Sequence, residues 1–198
     1  MNNIENAKKD FLDRYNPNRE IKKALELSIK ASVQRNPTYS NEIETNSKIR
    51  KDIILFWKEQ LAGFSKNYKD KKSLDTYFQN VIDLKNIMNS KFTDAFNHSR
   101  YINDKGFRIA HSQKSLSVYL KHLWCLGLIS EPPMCPIDNI ILTKIGLKYP
   151  QNKWGYINTE IEFKMKSNLI ISYAEKNNLS VCKWELLVFQ NNNENVFK

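Results

Sequence analysis

Apolar residues recur along this chain at intervals of three and four rather than in alternation, the period of helices that bury one face. Between Arg19 and Gln34, the residues Ile21, Ala24, Leu25, Leu27, Ile29 and Ala31 trace roughly one helical face. Lys22, Lys23 and Lys30 charge the remainder, and the helix is expected to end near Asn36-Pro37. A second helix is expected from about Ser47 to Phe64, with Ile49, Ile53, Ile54, Phe56, Trp57 and Leu61 inward. Beyond a charged loop, Lys66 to Lys72, Ser73 reads as the N-cap of a third helix carrying Leu74, Tyr77, Phe78, Val81, Leu84 and Ile87. A short helical piece around Phe92 to Phe96 follows.

The stretch from His98 to Gly146 crowds aromatic, basic, Pro and Cys residues together. One helix is expected there from about Ser112 to Leu126, stopped by Gly127. A loop, Leu128 to Cys135, leads to a second helix with Pro136 as its first residue and Gly146 as its end. After a polar connection holding Trp154 and Tyr156, Thr159 caps a helix to about Lys176, and Ser180 caps a last one, Val181 to Phe189. Residues 1–18 read as a short helix or frayed arm ending in Asn16-Pro17-Asn18, and residues 190–198 as a frayed tail.

Composition sharpens this pattern into a fold class. Only 5 Gly and 6 Pro occur in 198 residues, too few turn signals for a multi-stranded sheet. The expectation is an all-α, compact single-core domain of about eight helices spanning 1–198, with 98–146 as its helix-loop-helix active-site segment. Charge then points to a partner. Lys and Arg number 31 against 21 acidic residues, a net charge of +10 that attracts polyanions, nucleic acid first among them. No apolar run reaches membrane-spanning length and the N-terminus lacks an apolar signal core, so a cytoplasmic protein without a membrane partner is expected. A monomer is the expected state.

Several chemistries are disfavoured at once. His122 and Cys125 stand at i and i+3 with Cys135 beyond, but without a paired C-x-x-C or a fourth ligand; no metal and no cofactor are expected, and the three cysteines read as buried structural thiols. Phosphate-binding glycine loops, nucleophile elbows and His-Glu-x-x-His helices are missing from the sequence.

What remains is Gln113-Lys114-Ser115-Leu116 opening one helix, and Asp138 in Cys135-Pro136-Ile137-Asp138-Asn139 opening the next. This arrangement resembles the catalytic segment of the helix-hairpin-helix DNA glycosylase superfamily, nearest to its archaeal 8-oxoguanine glycosylase branch, over roughly residues 106–146. That branch also carries a Gln-Lys pair at the nucleophile and a Pro-x-Asp before the next helix. The resemblance implies double-stranded DNA as partner, Lys114 as the amine that attacks C1′ of a flipped nucleotide, and Asp138 as its electrostatic partner, with lyase chemistry to follow. A lysine nucleophile must be neutral, and the positive end of a helix disfavours an ammonium. The segment Gly106-Phe107-Arg108-Ile109-Ala110-His111 departs from the family by lacking its Gly-x-Gly hairpin. Phosphate contacts would instead fall to Lys105, Arg108, Gln113, Lys121 and Lys144. Walls for a flipped base are available in Phe107, Tyr119, Trp124, Trp154 and Trp184. The alternative is a non-catalytic nucleic-acid-binding helical protein of a mobile element or defence system, which needs no Lys114.

Overall fold

Helices account for nearly all of the regular structure because the sequence supplies both their apolar faces and their stop signals. The computed structural model describes residues 2–34, 38–40, 43–45, 47–96 and 106–194. Among these it is all-α, with eight α-helices: α1 (Asn2–Tyr15), α2 (Ile21–Val33), α3 (Lys48–Ser65), α4 (Leu74–Lys91), α5 (Ile109–Cys125), α6 (Asn139–Lys144), α7 (Glu160–Lys176) and α8 (Val181–Glu194). The Asn36-Pro37 helix stop, Lys105 and residues 195–198 of the expected tail lie outside the described residues.

Caps set several of the boundaries. Ser47, Ser73 and Thr159 each accept a hydrogen bond from a backbone N–H one turn into α3, α4 and α7, removing an orphan donor from each helix start. At the other end, Gly127 (φ +74°) and Gly146 (φ +93°) take the left-handed conformation that lets α5 and α6 stop. The Leu128 N–H reaches the Leu123 carbonyl and the Leu147 N–H reaches that of Leu142, closing both ends.

The architecture turns on α5. Every residue of this helix except Val118 is buried, so it is a core helix enclosed on all sides, not an amphipathic one on the surface. α2, α4, α1 and α3 pack around it, α8 packs on α1, and α7 joins α6 to α8. Several of its polar residues are satisfied by this ring of neighbours: Trp57 Nε1 donates to Ser115 at 3.1 Å, the Tyr77 and Ser117 hydroxyls share a 2.6 Å bond, and Thr38 meets His111 Nε2 at 3.1 Å. Trp57 stacks edge-on against Phe107, which also meets Phe96, so residues on both sides of α5 belong to one core.

Four local expectations change. Phe92 leaves helical geometry (φ −134°, ψ 54°), and the Phe92–Phe96 stretch is a turn whose end forms an isolated bridge to Tyr39, not a helix. α5 starts at Ile109, three residues before Ser112, with the backbone N–H of Arg108 donating to His111 Nδ1 across its first turn. α6 starts at Asn139 with Asp138 as its N-cap, so Pro136 lies in the approach to the helix and not at its first position. α8 continues helically through Glu194, five residues past Phe189, so residues 190–194 are helix and not a frayed tail. The charged loop after α3 opens with a single 3-10 turn, Lys66–Tyr68, and Trp154–Tyr156 forms another. No helix among the described residues is long and apolar enough to cross a membrane.

Candidate active site

Two structural facts place Asp138 beside Lys114. Gln113 is fully buried and grips the backbone of Ile137 twice, donating Nε2 to its carbonyl at 2.9 Å and accepting its N–H on Oε1 at 3.1 Å. This clamp ties the loop before α6 to the second turn of α5. Asp138 then uses its two oxygens differently: Oδ1 caps α6 by accepting the Ile141 N–H, and Oδ2 accepts the Lys114 ammonium at 2.9 Å. Burial alone would raise the Asp138 carboxyl, but the Lys114 charge and these hydrogen bonds outweigh it and hold the group below the usual aspartate range. Gln113 therefore acts as a positioning residue. Gln113→Leu should strand two polar backbone groups of the buried Ile137, lowering unfolding stability by about 2–4 kcal/mol in a urea titration.

The Lys114–Asp138 pair opens on a cavity of about 300 Å³. Phe11 and Tyr15 of α1, Leu27 and Ala31 of α2, and Val118 and Pro136 give it apolar walls. Its size lies at the lower end of the range of ligand pockets, about 300–1,000 Å³, and suits a small ligand such as a single nucleobase with its sugar. A second ion pair stands in the same cavity: Lys121 Nζ lies 2.9 and 2.7 Å from the two oxygens of Glu185 on α8, with both side chains almost wholly buried. Burial pushes the Glu185 carboxyl up, against the pull of Lys121. His122 completes the wall, its ring 4.7 Å from that of Phe11 and its Nδ1 buried without a hydrogen-bond partner.

Both described histidines are neutral at pH 7. Burial, then the Lys121 charge, lowers His122 from its ordinary 6.5 to about 4. Burial and Arg108 push His111 well below its ordinary value as well. The unfolded chain takes up these protons near pH 6.5, so the stability they confer is complete above that pH and is lost as the pH falls toward 4. For His122 the loss should reach about 3 kcal/mol between pH 7 and 4. Urea titrations across that range should show it, with a shallower slope for His122→Phe.

The remaining sequence candidates separate clearly. Trp154 is half-buried, with its ring centroid 5.8 Å from Lys114 Nζ. Phe107, Tyr119, Trp124 and Trp184 are buried in the core and border no part of the cavity, so they are not its walls. Of the proposed phosphate contacts, Lys144 is exposed on α6, whereas Arg108 is 2% exposed with its guanidinium 3.2 Å from His111 Nε2, and Gln113 and Lys121 face inward. Starting α5 at Ile109 also moves Lys114 beyond the first turn, where the helix-end field has largely decayed; Asp138, not the dipole, is the dominant electrostatic neighbour. The cysteines are buried free thiols, and burial pushes Cys125 up to about 12 and the others up as well, which leaves them unreactive.

The sequence alone missed Phe11, Tyr15, Ala31 and Glu185 as cavity residues. Their signal was absent because they come from helices at both ends of the chain and meet only through packing on α5. Lys121 carried a signal, since it lies two turns from Lys114 on one helix face. No family model matches this chain, and neither a curated protein nor a solved structure does.

Proposed function

We propose that this protein is a DNA glycosylase with lyase action, using Lys114 as its nucleophile on a nucleotide flipped out of the duplex. The observation that carries this reading is the Lys114–Asp138 contact at the edge of a base-sized cavity, two groups from separate elements held together by the Gln113 clamp. In the resting pair the ammonium is hydrogen-bonded to the carboxylate. On engagement the proton passes from Nζ to the adjacent Oδ2, and the amine lone pair attacks C1′. The C1′–N bond breaks with its electron pair leaving on the base, which takes the proton now on Asp138 Oδ2. The freed carboxylate accepts one of the two amine protons and returns it to O4′ as the C1′–O4′ bond breaks, giving a protonated imine between C1′ and Lys114; the same carboxylate then takes the C2′ proton, and that electron pair expels the 3′ phosphate by β-elimination.

The net charge of +10 supports a polyanionic substrate, and three unpaired buried thiols suit a reducing cytoplasm. Lys144, exposed on the helix that Asp138 caps, would serve as a phosphate contact.

Borohydride reduction tests the proposal, because it converts an imine into a stable crosslink. The wild type on a duplex carrying an abasic site should give a covalent protein–DNA band, and Lys114→Gln should reduce it at least a hundredfold. Salt-dependent DNA binding with no crosslink would replace the proposal with a non-catalytic nucleic-acid-binding protein.

A further inference from the structure

The cavity holds more polar chemistry than a lysine nucleophile needs. Lys114 and Lys121 are seven residues apart on α5, which places their backbones about 10 Å apart along the helix axis. If Lys114 and Asp138 serve the sugar, Lys121, Glu185 and His122 are left at the other end of the same cavity. Burying an ion pair there is costly, and a well-packed apolar pair would serve the fold as well or better. His122 lines the same end of the cavity, with its ring packed on Phe11.

We infer that the Lys121–Glu185 pair with His122 is a base-reading site selective for nucleobases with a lactam edge, in which a ring N–H stands beside a C=O. This inference rests on the glycosylase reading for its biological setting and on the cavity alone for its chemistry. An ammonium next to a carboxylate presents a donor beside an acceptor. A lactam edge presents the complement: its carbonyl faces the Lys121 side and its N–H donates to Glu185, whose two oxygens have lone pairs beyond those engaged by Lys121. Adenine and cytosine carry an amino group beside an unprotonated ring nitrogen, which sets donor against donor and acceptor against acceptor. The cavity's charges come close to balance, with Lys30, Lys114 and Lys121 against Asp138 and Glu185 and a neutral His122. That suits an uncharged ring, which Phe11 and Tyr15 on one helix and Leu27 and Ala31 on another would flank.

Inosine and adenosine make the decisive comparison because they differ only at this edge. Calorimetric titration of the intact protein should give an inosine affinity at least about tenfold above that of adenosine, the penalty for a mismatched buried hydrogen bond. Ala31→Phe, which fills the cavity without replacing a member of either ion pair, should abolish inosine binding and thereby locate it. The double variant Lys121→Gln with Glu185→Gln should lose the preference. Equal affinities for the two nucleosides overturn the inference, as does inosine binding that survives Ala31→Phe, or no inosine binding at millimolar concentration. These results are separable from the lysine chemistry, because abasic-site trapping involves no base. Trapping without inosine preference sinks only the base-reading site, and inosine preference without trapping sinks only the glycosylase.

Discussion

Lys121→Met should lower the free energy of unfolding by about 3–5 kcal/mol, the cost of leaving a buried carboxylate without its cation. The side chains of Lys121 and Glu185 are 6% and 3% exposed, so solvent screens the pair poorly, and the two contacts of 2.9 and 2.7 Å are lost together. α1 and α8 pack on each other and Lys121 also lies over the Phe11 ring, so the damage falls on residues that line the cavity. Glu185 can relieve part of the penalty by taking a proton, toward which burial already biases it. The defect should therefore shrink between pH 7 and 5, and Lys121→Met with Glu185→Leu should recover most of the stability. Urea unfolding followed by circular dichroism measures all three values. A loss below about 1 kcal/mol for Lys121→Met would mean that the pair behaves as a solvated surface bridge.

The second large effect separates the two jobs of Asp138. Asparagine is as good an N-cap as aspartate, so Asp138→Asn should keep α6 in place, and its stability cost, about 3 kcal/mol, comes from leaving the buried Lys114 ammonium without its counter-charge. It removes the charge that receives the Lys114 proton and faces the developing positive sugar, and should slow the proposed reaction about 100- to 1,000-fold. Asp138→Ala should match that kinetic loss and also forfeit the 2.9 Å cap to Ile141, costing about 1 kcal/mol more. Single-turnover strand cleavage beside thermal unfolding distinguishes the cases. An Asp138→Asn protein with undiminished cleavage would reduce the carboxylate to a cap.

Helix class was legible because it follows from local periodicity and caps: Ser73, Thr159 and Gly127 act where their chemistry says they should. Failures arose where tertiary contacts override local signals. Nothing in Arg108 or His111 announces a helix start, since arginine is not a preferred cap; their pairing depends on the enclosed position at the head of α5. Pro136 suits a first helical position, but the Gln113 clamp on Ile137 fixes the chain as an extended approach and leaves the cap to Asp138. Aromatic residues near the site in sequence misdirect the eye for the same reason. Phe107 precedes, and Trp124 belongs to, a helix that is enclosed on all sides, so they fill the core, while Phe11, far off along the chain, reaches the cavity. Lys114 and Asp138 could be singled out from sequence, but their hydrogen bond depends on the fold.

The central claim is that one amine in a lysine-rich chain forms the imine. Exposed surface lysines also react slowly with an abasic aldehyde, and a substitution at Lys114 disturbs its neighbours, so the location of the adduct is more direct than its loss. The measurement is to reduce the wild-type protein with borohydride on abasic DNA, digest both components, and find the modified peptide by mass spectrometry. The account predicts a remnant of the sugar on Lys114, within the buried helix Ile109–Cys125, as the dominant adduct. Adducts scattered over exposed lysines, with Lys114 unmodified, would contradict it.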